Sequence, residues 1–107
     1  MKLIIAIINY DDAKSVIESL TRHGFSSTRL STTGGFLLAG NVTLLIGVED
    51  KQVQEAIDII REHSHSRKQL MPAITEMSHG FMPVMPVEVT VGGATVFVVD
   101  VERFERL

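Results

Sequence analysis

The chain has 107 residues, a formal net charge of −3 and no cysteine, which excludes a disulfide framework, thiolate metal sites and a cysteine nucleophile. Its length suits a single domain, residues 1–107, and its acidic balance leaves no broad positive field for a nucleic-acid backbone, so long nucleic acid is not an expected partner. Apolar residues make up 45% of the sequence, more than one small core holds, and a homo-oligomer of closed symmetry is the expected way to bury the surplus.

Met1-Lys2-Leu3 leads into an apolar run that ends by Asn9-Tyr10. That run is too short to span a bilayer and no signal-peptide cleavage pattern follows it, so no membrane association and a cytoplasmic location are expected. Ile4 to Ile8 predicts a strand covered on both faces. Asp11 and Asp12 give an N-cap signal, and Ala13, Val16, Ile17 and Leu20 follow at helical spacing. Gly24 suits the left-handed position that closes this helix.

Ser26 to Ser31 predicts a second, polar strand with Ser26, Thr28 and Leu30 on one face and Ser27 and Arg29 on the other. Asn41 to Val48 predicts a third strand. Glu49-Asp50 opens a second helix whose buried stripe is Val53, Ala56, Ile57 and Ile60. From about His63 to Met85 the periodicity dissolves, in a segment holding three of the four histidines and two of the three prolines; a stretch of this kind is usually a functional or mobile loop. Val87 to Val91 predicts a strand with Pro86 at its start. Gly92-Gly93 reads as a hairpin turn, and Ala94 to Val99 as the returning partner. The order is the split βαβ of an α+β, ferredoxin-like βαββαβ subunit with an extra C-terminal strand.

The segment Thr32-Thr33-Gly34-Gly35-Phe36-Leu37 carries the chemistry. Its glycines let the backbone approach a ligand closely, and successive N–H groups in such a turn form an anion nest. Phe36 and Leu37 are large apolar residues at the tip of a glycine turn. An aromatic face beside amides and hydroxyls suits a flat base and a phosphate; a hairpin whose Phe36 packs on a neighbouring subunit is the competing reading. The loop has no lysine, matches no P-loop, and lacks a carboxylate or histidine to act as general base. It is built for recognition, with no obvious means of turnover.

Thr32-Thr33-Gly34-Gly35-Phe36-Leu37, Ala39-Gly40-Asn41, Pro86-Val87-Glu88-Val89 and Val91-Gly92-Gly93-Ala94-Thr95-Val96-Phe97 resemble the PII-like cyclic-di-AMP receptor family. The resemblance runs along essentially the whole chain. It implies a non-catalytic signal-transduction protein: a homotrimer that binds cyclic-di-AMP in its intersubunit clefts, with no cofactor besides that ligand. It also implies the roles of individual residues. Thr28 and Asn41 would hydrogen-bond the adenine and its neighbourhood, while Gly35, Phe36 and Leu37 would cradle a phosphate and pack on the ligand. Gly47 would leave room for the base. Gly92, Gly93 and Phe97 would close the cleft. Ser26 belongs to the same ligand-binding set, but the chain departs from the family there: Gly24 and Ser26 stand where members often carry asparagine and arginine, which removes a charge-assisted donor.

Three other readings compete. A PII-like protein that binds an adenine mononucleotide, ATP or ADP, or another signal would share the fold and change the ligand. Metal binding by His63, His65 and His79 is a second, against the plainer reading of solvated loop histidines. An enzyme using Glu76, Glu88 and the histidines is the third, though none of these has a spacing that specifies a reaction. For a receptor, the segments around Gly34 to Gly40 and His63 to Met85 are the expected elements that order on binding. Met71, Met77, Met82 and Met85 would then present an adaptable apolar surface to an unidentified downstream protein.

Overall fold

Strand β1 (Lys2–Asn9) pairs antiparallel on one side with β3 (Asn41–Val48) and on the other with β6 (Ala94–Asp100), and β3 pairs antiparallel with β2 (Ser27–Leu30). The resulting order β2-β3-β1-β6 is compatible with the ferredoxin-like arrangement. Two helices, α1 (Tyr10–Arg22) and α2 (Val53–Ser64), complete a mixed α+β domain, with a short 3-10 turn (Asp50–Gln52) leading into α2. A separate two-stranded ribbon is formed by β4 (Arg67–Pro72) and β5 (Pro86–Val91). These features come from a computed structural model, which describes residues 1–30, 40–72 and 86–107.

Strand alternation decides where the core sits. Ile4, Ala6 and Ile8 of β1 and Val42, Leu44, Ile46 and Val48 of β3 point to one face and are buried. Helix α1 covers them with Ala13, Val16 and Leu20, and α2 with Ala56, Ile59 and Ile60. The opposite face carries Leu3, Ile5 and Ile7, which are half-buried, and Phe97 and Val99 of β6, which are exposed. A largely apolar sheet face is thus left without helices over it.

Three local expectations are corrected. Helix α1 is capped by Asn9, whose side chain accepts the Asp11 N–H at 2.9 Å; Asp11 and Asp12 lie inside the first turn. The reason is that Asn9 ends β1 and is as good a cap as aspartate, which frees Asp12 to turn inward. Gly92-Gly93 is not a hairpin turn between two paired strands. Strand β5 pairs with β4, whereas β6 crosses to β1, so the glycines, at φ +78° and +87°, link ribbon to sheet. The final strand of the βαββαβ order is therefore β6 itself, the strand expected as the C-terminal addition, and the additional strands β4 and β5 precede it. Part of the aperiodic segment after α2 is also a strand: β4 is polar, and its Lys68 pairs with Glu88 of β5 at 3.2 Å.

The base of the ribbon is fastened by one charged fork. Asp12, only 7% exposed, receives Arg67 Nη2 on Oδ1 at 2.9 Å and Nη1 on Oδ2 at 3.3 Å, and Nη1 also reaches the His65 carbonyl at 3.3 Å. The hydrogen bonds to Asp12, and the attraction of its charge, raise the pKa of the guanidinium. The Gly93 N–H donates to the Ser64 carbonyl. A Cβ on Gly92 would stand 2.5 Å from Arg67 Nη1 and 2.8 Å from the His65 oxygen, and the residue is in the left-handed region besides. Gly92→Ala is expected to lower stability by about 1–3 kcal/mol, read as a lower urea midpoint with unchanged slope; an unaltered midpoint would show that the fork does not depend on this glycine.

Candidate functional site

Of the expected ligand-binding residues, Gly35, Phe36 and Leu37 lie outside the described residues. Apart from Phe97, which stands on the β6 edge, the remainder fall into two groups at opposite ends of the uncovered sheet face. Ser26, Thr28 and Gly47 line one hollow of about 550 Å³. Asn41, Gly92 and Gly93 line a smaller one of about 380 Å³, together with Ser66 and Thr95. In the smaller hollow the Gly93 N–H is already engaged by Ser64 and is not a free donor for a ligand.

The larger hollow follows from strand register. Leu45 of β3 stands opposite Thr28 of β2 and Ile5 of β1, and Gly47 opposite Leu3. Leu3, Leu45 and Gly47 form its floor, and Gly24, Ser26 and Thr28 one wall. Gly24 has φ +85°, the conformation that lets the chain turn from α1 into β2 while Phe25 drops into the core. At Gly47 a Cβ would project into the open space, meeting only Met1 Cε at 3.2 Å.

The opposite wall was not foreseen. After β6 the Val101 N–H donates to the Met1 carbonyl at 3.2 Å, and the following residues bring Phe104 and Arg106 to the hollow. The only sequence signal was one aromatic residue, Phe104, set among the charges of Glu102-Arg103-Phe104-Glu105-Arg106. Met1 and Gln52 form the lip. The polar groups among these described lining residues are hydroxyls, an amide and a guanidinium, which can hydrogen-bond a base or a phosphate.

Phe97 sits elsewhere. The row Thr28–Leu45–Ile5–Phe97 runs across all four strands, so Thr28 and Phe97 occupy opposite edges, three strand spacings or roughly 14 Å apart. Phe97 is 52% exposed. Arg29, as its place in the alternation of β2 predicts, faces away from the hollow, with its guanidinium 5.4 Å from the centre of the Tyr10 ring. His63 Nδ1 is 2.9 Å from Ser15 Oγ, His65 is exposed, and His79 lies outside the described residues. Among the described residues no group of three or more His, Cys, Asp or Glu side chains could hold a metal, and no helix is long and apolar enough to cross a membrane.

The lip carries one further electrostatic feature. The Met1 ammonium is 3.0 Å from Asp50 Oδ1, and hydrogen bonding by that ammonium holds the Asp50 carboxyl below its ordinary 3.8. A lowered carboxyl pKa means that the pair's contribution is present above 3.8 and is lost as pH falls through the lowered value. An NMR titration of Asp50 is expected to give a midpoint below 3.8, and acetylating the Met1 amine should return it toward that value; equal midpoints would dissolve the pair.

Comparisons with known proteins bear on this geometry. The sequence model of a family described as "Cyclic-di-AMP receptor" matches residues 1–107. A crystal structure of a functionally unknown protein from Pediococcus pentosaceus ATCC 25745 is 40% identical, with 99% of this chain and 96% of that chain covered and a TM-score of 0.76.

Proposed function

The chain belongs to the cyclic-di-AMP receptor family, and from that premise we propose that it is a non-catalytic, PII-like signalling receptor binding cyclic-di-AMP in the clefts between subunits of a homotrimer. The observation that carries the intersubunit placement is the separation of the expected site across the sheet. Ser26, Thr28 and Gly47 are at one edge and Phe97 at the other, so a single subunit cannot close both on one base. A second copy packed on the uncovered apolar face would bring its β6 edge toward the hollow of the first and bury Leu3, Ile5 and Phe97 at the same time.

The lining suits the ligand. Two hydroxyls and a glutamine amide suit the edge of an adenine, Gly47 leaves space for its ring, and a cyclic dinucleotide has a second base that one hollow of this size leaves for a neighbouring subunit to hold. Gly35, Phe36 and Leu37 are proposed to meet a phosphate and the ligand's flat face, and Asn41, Gly92 and Gly93 to approach from the far end. A lining of hydroxyls, an amide and a guanidinium supports a recognition role, and a cytoplasmic location belongs to the same proposal. The main alternative is an adenine mononucleotide, ATP or ADP, which the volume of a single hollow favours.

Calorimetric titration with cyclic-di-AMP is expected to give one ligand per chain, with ATP, ADP and cyclic-di-GMP as controls; heat from ATP or ADP alone would transfer the assignment to a mononucleotide. In the same experiment Gly47→Val should abolish binding by filling the hollow, while its stability from urea unfolding stays within about 0.5 kcal/mol of the parent, as at other exposed positions.

Signalling requires that the ligand bind two states unequally. We place that difference in the segments Gly34 to Gly40 and His63 to Met85, the second offering Met71, Met77, Met82 and Met85 to a downstream protein. Hydrogen exchange is expected to slow in at least one of them on adding cyclic-di-AMP; protection unchanged in both would overturn this role.

A further inference from the structure

The ligand assigned above is an anion, yet the hollow sits in a chain of net charge −3, and its walls are mainly neutral. The polar groups that line it are the hydroxyls of Ser26 and Thr28, the Gln52 amide and the guanidinium of Arg106. Arg106 is the single charged side chain among them.

Other cations close by are already committed. The Met1 ammonium is held by Asp50 at 3.0 Å, Lys2 is paired with Asp100, and Arg103 is bonded to Glu105 at 2.6 Å. Arg106 makes no ion pair with any described residue. It is also delivered by a fixed route: β6 carries the chain past β1, the Val101 N–H is tied to the Met1 carbonyl, and Phe104 lies against the hollow one helical-turn's length of chain before it ends.

We propose, resting on the receptor reading, that Arg106 is the phosphate-binding cation of this site and thereby selects for an anionic ligand in the hollow that Ser26, Thr28 and Gly47 line from the other side. A guanidinium offers two parallel N–H donors that match a phosphodiester's pair of oxygens, which a lysine does not reproduce. Phe104 beside it positions the segment and gives the ligand an apolar flank. The segment after the last strand is in this reading a functional arm of the domain.

The test uses the full chain and cyclic-di-AMP by calorimetry at several salt concentrations. Arg106→Gln is expected to weaken binding about ten- to hundred-fold, the range for one charge-assisted hydrogen bond, and to flatten the dependence of affinity on salt, because the lost contact is ionic. Arg106→Lys should recover part of the affinity and the parent's salt slope. The urea midpoint should not move, since Arg106 is exposed and makes no ion pair with a described residue. Parent-like affinity in Arg106→Gln, or weakened binding with an unchanged salt slope, overturns the role of Arg106 while leaving the receptor reading standing. Failure of the parent chain to bind cyclic-di-AMP removes the receptor reading, and the role of Arg106 with it.

Discussion

A buried carboxylate has to be answered, and in this domain the answer organises the chain. Asp12 sits in the first turn of α1 with almost no access to water, and Arg67, fifty-five positions later, meets it with both terminal nitrogens. Leaving such a charge buried without its partner typically costs several kcal/mol. The chain leaving α2 must therefore return to the start of α1 before it can do anything else. Ribbon β4–β5 is consequently rooted at that point, and Gly92-Gly93 must pass close to the fork, where a side chain at Gly92 would strike it. Only then does β6 run along β1 as the last strand of the sheet.

With the helices all on one face, the other face is shaped by what it lacks. Leu3, Ile5 and Ile7 run down its middle, Thr28 and Gly47 lie toward one edge, and Phe97 stands on the other. The hollow at the first edge has hydroxyls, an amide, a glycine floor and a guanidinium, groups that can hydrogen-bond a base or a phosphate. Membership of the cyclic-di-AMP receptor family agrees with that set, and the 40% identical structure shows the same fold in another chain.

Sequence periodicity revealed the elements with strong apolar patterns: β1, α1, β3 and α2 lie close to where Ile4–Ile8, Ala13–Leu20, Asn41–Val48 and Val53–Ile60 place them. It failed where the decisive interaction was remote. Strand β4 is polar, so nothing in Arg67-Lys68-Gln69 announces a strand until β5 is beside it. Two adjacent glycines between apolar runs are a local hairpin signal, and no local pattern reports that β1 competes successfully for β6. Thr28 and Gly47 could be picked out because they stand on a recognisable strand face. Arg106 could not, since Glu102 to Leu107 has neither helical nor strand periodicity and reaches the hollow only through the Val101–Met1 contact.

The ribbon shares no hydrogen-bonded ladder with the four-stranded sheet. Among the described contacts its root is held by the Arg67 fork and by the Gly93 bond to Ser64. Strand separation within it therefore breaks no ladder bond of the main sheet. The described part of the ribbon contributes no residue to the buried core, so the packing of sheet against helices places little constraint on its sequence.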